Sequence, residues 1–450
     1  MATSYKTPNV YIEEISKLPP SVAGVSTGIP AFLGYTEKAE NDDGEDLTNV
    51  PTRITSLLEY ETFFGLAKPT VIAVITNGAD EIISIRVTEP KFLMYYALQM
   101  FFNNGGGACY IVSVGPDDGT KAKADFDNGL AALKKEDEPT LILLSDAANL
   151  DDDSNTTDYY DLCVAALDQC KTLQDRFAVF DVVQFKKDSR DDAETFRSAV
   201  SSEYLNYGAA YYPYLQTSLN YYYTDDSVTV NGAALETIKD TKGALYNGIK
   251  SEISKKRIIL PPSSAIAGVY ARVDRDRGVW KAPANVSLAS VTVPTVKITN
   301  EDQEDLNVDA TAGKSINAIR YFTGKGVLVW GARTLAGNDN EWRYVPVRRL
   351  FIYVEESVQQ ATEFAIFEPN VTVTWLKVKS MIESFLEGLW RQGALAGSTA
   401  EQAFFVNVGL GVTMSSQDIL EGRMNVEIGL AAVRPAEFII LKFSHKLQEA

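Results

Sequence analysis

The chain has 450 residues, 45% of them hydrophobic and 23% charged, the balance of a globular protein with room for two or three domains. A net charge of −18 argues against a nucleic-acid partner, since that binding needs Lys and Arg to displace counterions. Cys109, Cys163 and Cys170 match no zinc or redox spacing, which fits folding in a reducing cytoplasm, and the single histidine, His445, leaves no histidine-dependent triad or multi-histidine metal site.

No apolar run of about 18 residues is present to span a bilayer. The first twenty residues lack the basic stretch and apolar run of a secretory signal. The charge is uneven. From Val345 onward there are nine basic and twelve acidic residues, a net of −3, so the preceding residues carry −15 of the −18. That acidic part reads as a solvated exterior.

In chain order, residues 1–20 read as an arm. One short strand, Val10, Tyr11, Ile12, Glu13 and Ile15, is bracketed by Pro8 and by Pro19 and Pro20, which break regular structure. Residues 22–35 read as a strand entering the body. Between Lys91 and Tyr214 the pattern becomes regular: a helix over 92–102, a glycine turn, then strands over 109–114, 141–144, 177–183 and 209–214 separated by amphipathic stretches. Strands alternating with helices predict a mostly parallel, doubly wound sheet with helices on both faces. Residues 221–250 read as a tyrosine-rich insertion.

A separate α+β unit begins near Glu341. Val347, Leu350, Phe351, Val354, Val358 and Ala361 recur at helical spacing after Pro346. In a second helix Met381, Ile382, Phe385, Leu386 and Leu389 form one arc, and Lys377, Ser380, Ser384, Glu387 and Arg391 the opposite face. Two alternating strands follow. Phe404, Val406, Val408, Leu410 and Val412 fall on one side of the first, and Val426, Ile428 and Leu430 on one side of the second, predicted to run to Val433. Phe438, Ile439, Ile440, Leu441 and Phe443 form a third strand, apolar on both faces. Such a strand bare on a sheet edge templates aggregation, so either it closes its own core or another copy covers it.

No enzyme site stands out. Gly313-Lys314-Ser315 ends like a P-loop, but Val308 replaces the first glycine and the upstream segment is acidic. Gly105, Gly106 and Gly107 precede a strand, the reverse of a dinucleotide loop, and read as a helix C-cap. Asp151, Asp153 and Asn155 open like a calcium loop, yet Thr156 and Leu162 stand where its glycine and final glutamate belong. Catalytic, cofactor and metal residues are therefore all expected to be none. The rival readings are a doubly wound enzyme, which would need a strand-to-helix glycine loop, and a non-contractile filament or surface-layer protein.

Several stretches carry a specific resemblance: TPNVYIEEI at the start, GVSTGIPAFLGYT, ALQMFFNNGGGACYIVSVG, GVYARVDRDRGVWKAPAN, GVLVWGARTL, WRYVPVRRLFIYVEESV, FEPN, LWRQGAL, AFFVNV and VEIGLAAVRPAEFIILKF. In these and in their order the chain resembles the contractile tail sheath proteins of myophages, pyocins and extracellular phage-tail-like injection systems. The resemblance implies an outward-facing doubly wound α/β domain over 21–340, a C-terminal α+β tube-facing domain over 341–435, and strand-exchanging arms over 1–20 and 436–450. It implies that residues 10–15 and 438–443 are donated to neighbouring copies and that residues 404–410 and 426–433 accept them. It further implies hexameric rings stacked around an inner tube, partnered by baseplate and terminator proteins and, in particles that carry them, by sister sheath proteins, with no cofactor, no nucleic acid and no direct membrane insertion. Assembly is expected in a bacterial cytoplasm, within a phage tail or a released tail-like particle. The polar face of Lys377, Ser380, Ser384, Glu387 and Arg391 is the expected tube-facing surface.

Overall fold

The computed structural model describes residues 22–150, 157–309, 311–438 and 440. The arm strand at 10–15, the aspartates of the calcium-like loop, His445, Ile439, Leu441 and Phe443 lie outside the described residues.

A nine-stranded mixed sheet forms the centre, in the order Val286–Ser287, Gly326–Val329, Ile316–Phe322, Gly208–Tyr212, Phe177–Asp181, Leu141–Leu144, Pro30–Thr36, Cys109–Pro116, Thr52–Ile54. The six strands from Ile316–Phe322 to Cys109–Pro116 are parallel, and three strands joined through antiparallel pairings finish the two sides. Pro30–Thr36, Leu141–Leu144, Phe177–Asp181 and Gly208–Tyr212 are buried at every position. Strands covered on both faces need such continuous apolar runs.

From Pro30–Thr36 the chain steps to Cys109–Pro116 on one side. It then crosses to Leu141–Leu144 on the other and proceeds outward. Because such crossovers are right-handed, this reversal puts the connecting helices on opposite faces. Helix Met94–Asn103 packs on helix Ser263–Arg277, while Lys123–Leu133 packs on Asp158–Leu173, which packs on Ser189–Ala199. Two glycines set the spacing of these layers. A Cβ on Gly268 would sit 2.5 Å from the Phe101 carbonyl oxygen, and one on Gly129 would sit 2.8 Å from Val114 Cγ1. At the end of its strand, buried Asp181 accepts the Ser263 N–H at 2.7 Å and the Ser263 hydroxyl at 2.6 Å, so a sheet carboxylate caps the first turn of helix Ser263–Arg277.

The tyrosine-rich stretch is more than an insertion. Its strand Val228–Val230 pairs in parallel with Ile72–Thr76, which pairs with Ile82–Val87, and with Ala233–Ala234 they make a four-stranded sheet. Helix Gly243–Ile253 contributes Leu245, Tyr246, Ile249 and Ile253 to a small core with Ile72, Val74, Val228, Val230 and Leu235.

The described chain divides into two units, one of Val25–Glu356 with residues from 432 onward, the other of residues 22–24 and Ser357–Ala431. In the second, helix Thr372–Arg391 buries Thr374, Trp375, Val378, Met381, Ile382, Leu386 and Leu389. It packs on strand Phe404–Val408, which pairs antiparallel with Val426–Leu430. Both strands are shorter than the alternation predicts. The first stops because Gly409 and Gly411 turn the chain at φ 153° and 77°, which places Leu410 and Val412 in an exposed turn, off the pleat. The second ends at Leu430.

Candidate functional site

The Phe404–Val408/Val426–Leu430 pair brings six of the expected strand-exchange residues together. Phe404 faces Leu430, Val406 faces Ile428, and Val408 faces Val426. Only Val406 of the six is fully buried. On the other face Phe405 lies across Gly429, with a ring atom 2.1 Å from where a Cβ would stand, and the Asn407 amide donates to Glu427 at 3.2 Å. No third strand joins this pair among the described residues. Both outer edges therefore carry backbone groups without a strand partner, and a two-stranded ribbon is marginal by itself.

A groove of about 620 Å³ runs along the outer side of Phe404–Val408. Its other wall is helix Thr372–Arg391 at Lys379, Ser380, Glu383, Ser384 and Glu387. The polar helix face thus divides. Ser380, Ser384 and Glu387 line this groove together with the strand. Lys377 sets its ammonium 4.2 Å from the centre of the Phe364 ring, and Arg391 pairs with Glu387 at 2.6 Å near the helix end.

The FEPN stretch is a braced turn. The Trp375 indole N–H donates to Asn370 Oδ1 at 2.6 Å, the Asn370 amide to the Arg423 carbonyl at 2.9 Å, and the Thr374 hydroxyl to the Pro369 carbonyl at 2.7 Å. Phe367 projects from it fully exposed.

Phe438 and Ile440, the described residues of the doubly apolar segment, are 72% and 80% exposed and belong to no strand. The residue before them is held. Arg333, 5% exposed, donates from Nη2 to Glu437 at 2.6 Å and from Nε at 3.0 Å. Asn307 Nδ2 adds a bond at 3.0 Å and the Tyr344 hydroxyl one at 3.2 Å. Burial pushes the Glu437 carboxyl up, but these donors outweigh it and hold it below the usual carboxylate range. Sequence reasoning missed this clamp, for Arg333 and Glu437 are 104 residues apart and share no motif.

At the P-loop-like turn, Asp309 accepts the backbone N–H groups of Thr311, Ala312 and Lys314 at 3.0, 3.1 and 3.3 Å. The donors that would cradle a phosphate already hold a carboxylate. Among the described residues no group of three or more His, Cys, Asp or Glu is placed to hold a metal ion, and no helix is long and apolar enough to cross a membrane.

Residues 122–335 match the phage tail sheath protein central domain, and residues 337–446 the phage tail sheath C-terminal domain. The chain belongs to the phage tail sheath family, a structural and non-enzymatic class. It is a sheath subunit of the kind carried by phage tails and extracellular contractile injection systems. The sheath of the PVC extracellular contractile injection system in its contracted state is 32% identical, with TM-score 0.67 over 99% of both chains. The contracted helical sheath of the anti-feeding prophage is 35% identical, with TM-score 0.68 over 98% of this chain and 100% of that one. The tail sheath protein of Burkholderia phage BcepMu is 30% identical over 148 residues, 31% of this chain and 30% of that protein. The matches span less than half the length of the curated relatives.

Proposed function

We propose that the chain polymerises by exchanging strands with copies of itself, forming stacked rings around an inner tube that contract to drive the tube through a target envelope. The observation that carries this reading is the two-stranded ribbon, whose edges take no further strand among the described residues, taken together with a doubly apolar terminal segment whose described residues Phe438 and Ile440 face solvent. Main-chain hydrogen bonds across an added strand supply adhesion, and alternate side chains supply register. The donors are residues 10–15 and 438–443 of neighbouring copies, and the acceptors are Phe404–Val408 and Val426–Leu430. A heterologous contact that does not close on itself generates a helical filament, the form named for the anti-feeding prophage sheath.

In the assembled sheath the α/β unit faces outward and the Ser357–Ala431 unit faces the tube. Ser380, Ser384 and Glu387 flank the incoming strand in the groove beside Phe404–Val408, and Lys377 and Arg391 present positive charge to the tube. The work of contraction is stored in packed, two-state interfaces at assembly and needs no nucleotide. Baseplate and terminator proteins bound the stack at its two ends. The test is electron microscopy of the expressed protein. Hollow, ridged cylinders of two lengths, before and after triggering, support the reading; monodisperse particles, or filaments of one length, overturn it.

A further inference from the structure

We infer that Arg333, with Asn307 and Tyr344, is a positioning clamp that fixes where the donated C-terminal strand leaves the α/β unit, so that tension on the strand passes through Glu437 into the central sheet. The inference rests on the strand-exchange reading above. Arg333 is itself tied to the sheet. Its backbone N–H donates to Asn317 Oδ1 at 2.8 Å and its carbonyl accepts from Asn317 Nδ2 at 2.8 Å, Asn317 lying in strand Ile316–Phe322. The guanidinium also donates from Nη1 to the Asn307 carbonyl at 3.0 Å, and Asn307 in turn bonds Glu437. The carboxylate thus sits in a fork of four side-chain donor groups, from Arg333 Nε and Nη2, Asn307 and Tyr344. A bidentate guanidinium fixes direction as well as distance. One residue further on, Phe438 is 72% exposed.

What the clamp controls is slack. With the clamp closed, a pull on the strand reaches Arg333 directly. With it open, the pull first takes up whatever slack the preceding residues 432–436 hold, at most roughly 3.3–3.6 Å each. A tether transmits tension only when little slack remains.

The test uses the full chain co-assembled with its tube. Replacing both partners, R333M with E437M, opens the clamp without leaving an unpaired buried charge; R333M alone, which leaves only the more exposed Glu437 without its partner, is the second variant should the double one fold poorly; E437Q keeps an acceptor oxygen for Arg333. The mobility of a nitroxide label on F438C in the free subunit reports the clamp, since Phe438 is exposed and one residue from Glu437. The label is expected to tumble at least twofold faster in R333M/E437M and R333M, with a smaller change in E437Q. Cylinders of the opened variants are expected to form, yet fewer than half should shorten after a trigger that contracts the parent, and E437Q should restore shortening. Parent-like contraction with the label freed overturns the clamp inference alone. Normal polymerisation of a chain lacking residues 438–450 overturns the strand-exchange reading on which it rests.

Discussion

Arg349 and Asp274 form a two-pronged ion pair between helices Val345–Thr362 and Ser263–Arg277, at 2.5 and 3.0 Å, with each side chain 5% exposed. The Arg349 guanidinium also donates to the Thr27 carbonyl at 2.7 Å and stacks 4.6 Å over the Tyr270 ring. Removing one member of a buried pair strands the other charge in the interior, at a cost of about 3–5 kcal/mol. R349M is therefore expected to lower the unfolding free energy of the free subunit by that amount, as read from the midpoint and slope of urea denaturation, whereas R349M with D274M should recover most of the loss. Equal midpoints for parent and R349M would refute the assignment.

Asp181 gives the stability a pH dependence of definite sign. Burial raises its carboxyl to about 7, although the Ser263 hydrogen bonds pull the other way. In the unfolded chain the group ionises near 3.9. Between those values the folded state holds a proton that the unfolded state has lost, so this term's stability is full below about 4 and is lost as pH rises to 7. Each pH unit in that window is worth at most about 1.4 kcal/mol. Relative to D181N, the parent should lose stability as pH rises from 5.5 through 7 and level off above about 8. A gap that stays constant across the range would mean that Asp181 is ionised in the folded protein.

The sheet is legible in the sequence where burial on both faces forces a continuous apolar run. Leu141–Leu144 matches its expectation residue for residue. The lobe around Val228–Val230 is not legible, because strands of two and three residues carry no period and their partner Ile72–Thr76 lies about 150 residues upstream. Alternation at Phe404, Val406 and Val408 carries over into cross-strand pairs, yet it continues past Gly409, where the backbone turns. Period alone cannot register that. Arg333 and Glu437 leave no trace at all, since a single Arg and a single Glu far apart look like surface charges until the fold joins them.

The clamp on Glu437 also says where the C-terminal arm can be cut. A deletion starting at Glu437 would leave Arg333, 5% exposed, without its carboxylate and confuse instability with loss of donation. Removing residues 438–450 keeps the clamp. The expected product is a soluble subunit with parent-like melting temperature that sediments as a monomer and forms no cylinders. Aggregation of this shorter chain would place the strand in its own core.

Charge reversal on helix Thr372–Arg391, proposed above to meet the tube, separates docking from folding. Arg391 is 72% exposed in its pair with Glu387, and such pairs contribute about 0–1 kcal/mol. Lys377 would lose an exposed ring contact worth about 0.5–1 kcal/mol. K377E with R391E should therefore melt within a few degrees of the parent while tube co-sedimentation falls at least tenfold. Undiminished co-sedimentation would remove these residues from the tube surface.

Gly429 tests the proposed acceptor role of the ribbon most directly. A methyl group there would meet three Phe405 ring atoms at 2.1, 2.5 and 2.8 Å, so in G429A the ring must leave its place across the strand pair. Phe405 is 48% exposed and can swing into solvent, which keeps the cost to the free subunit near the low end of the 1–3 kcal/mol typical of overpacking. The displaced ring then changes the face against which an added strand lays its alternate side chains. Polymerisation of G429A is expected to need at least tenfold more protein than the parent, as read by sedimentation. F405A with G429A removes the collision and should bring the threshold back toward the parent value. If G429A polymerises like the parent, the Phe405 face is not covered by the incoming strand. If the double variant stays as defective as G429A, the ring itself makes the contact.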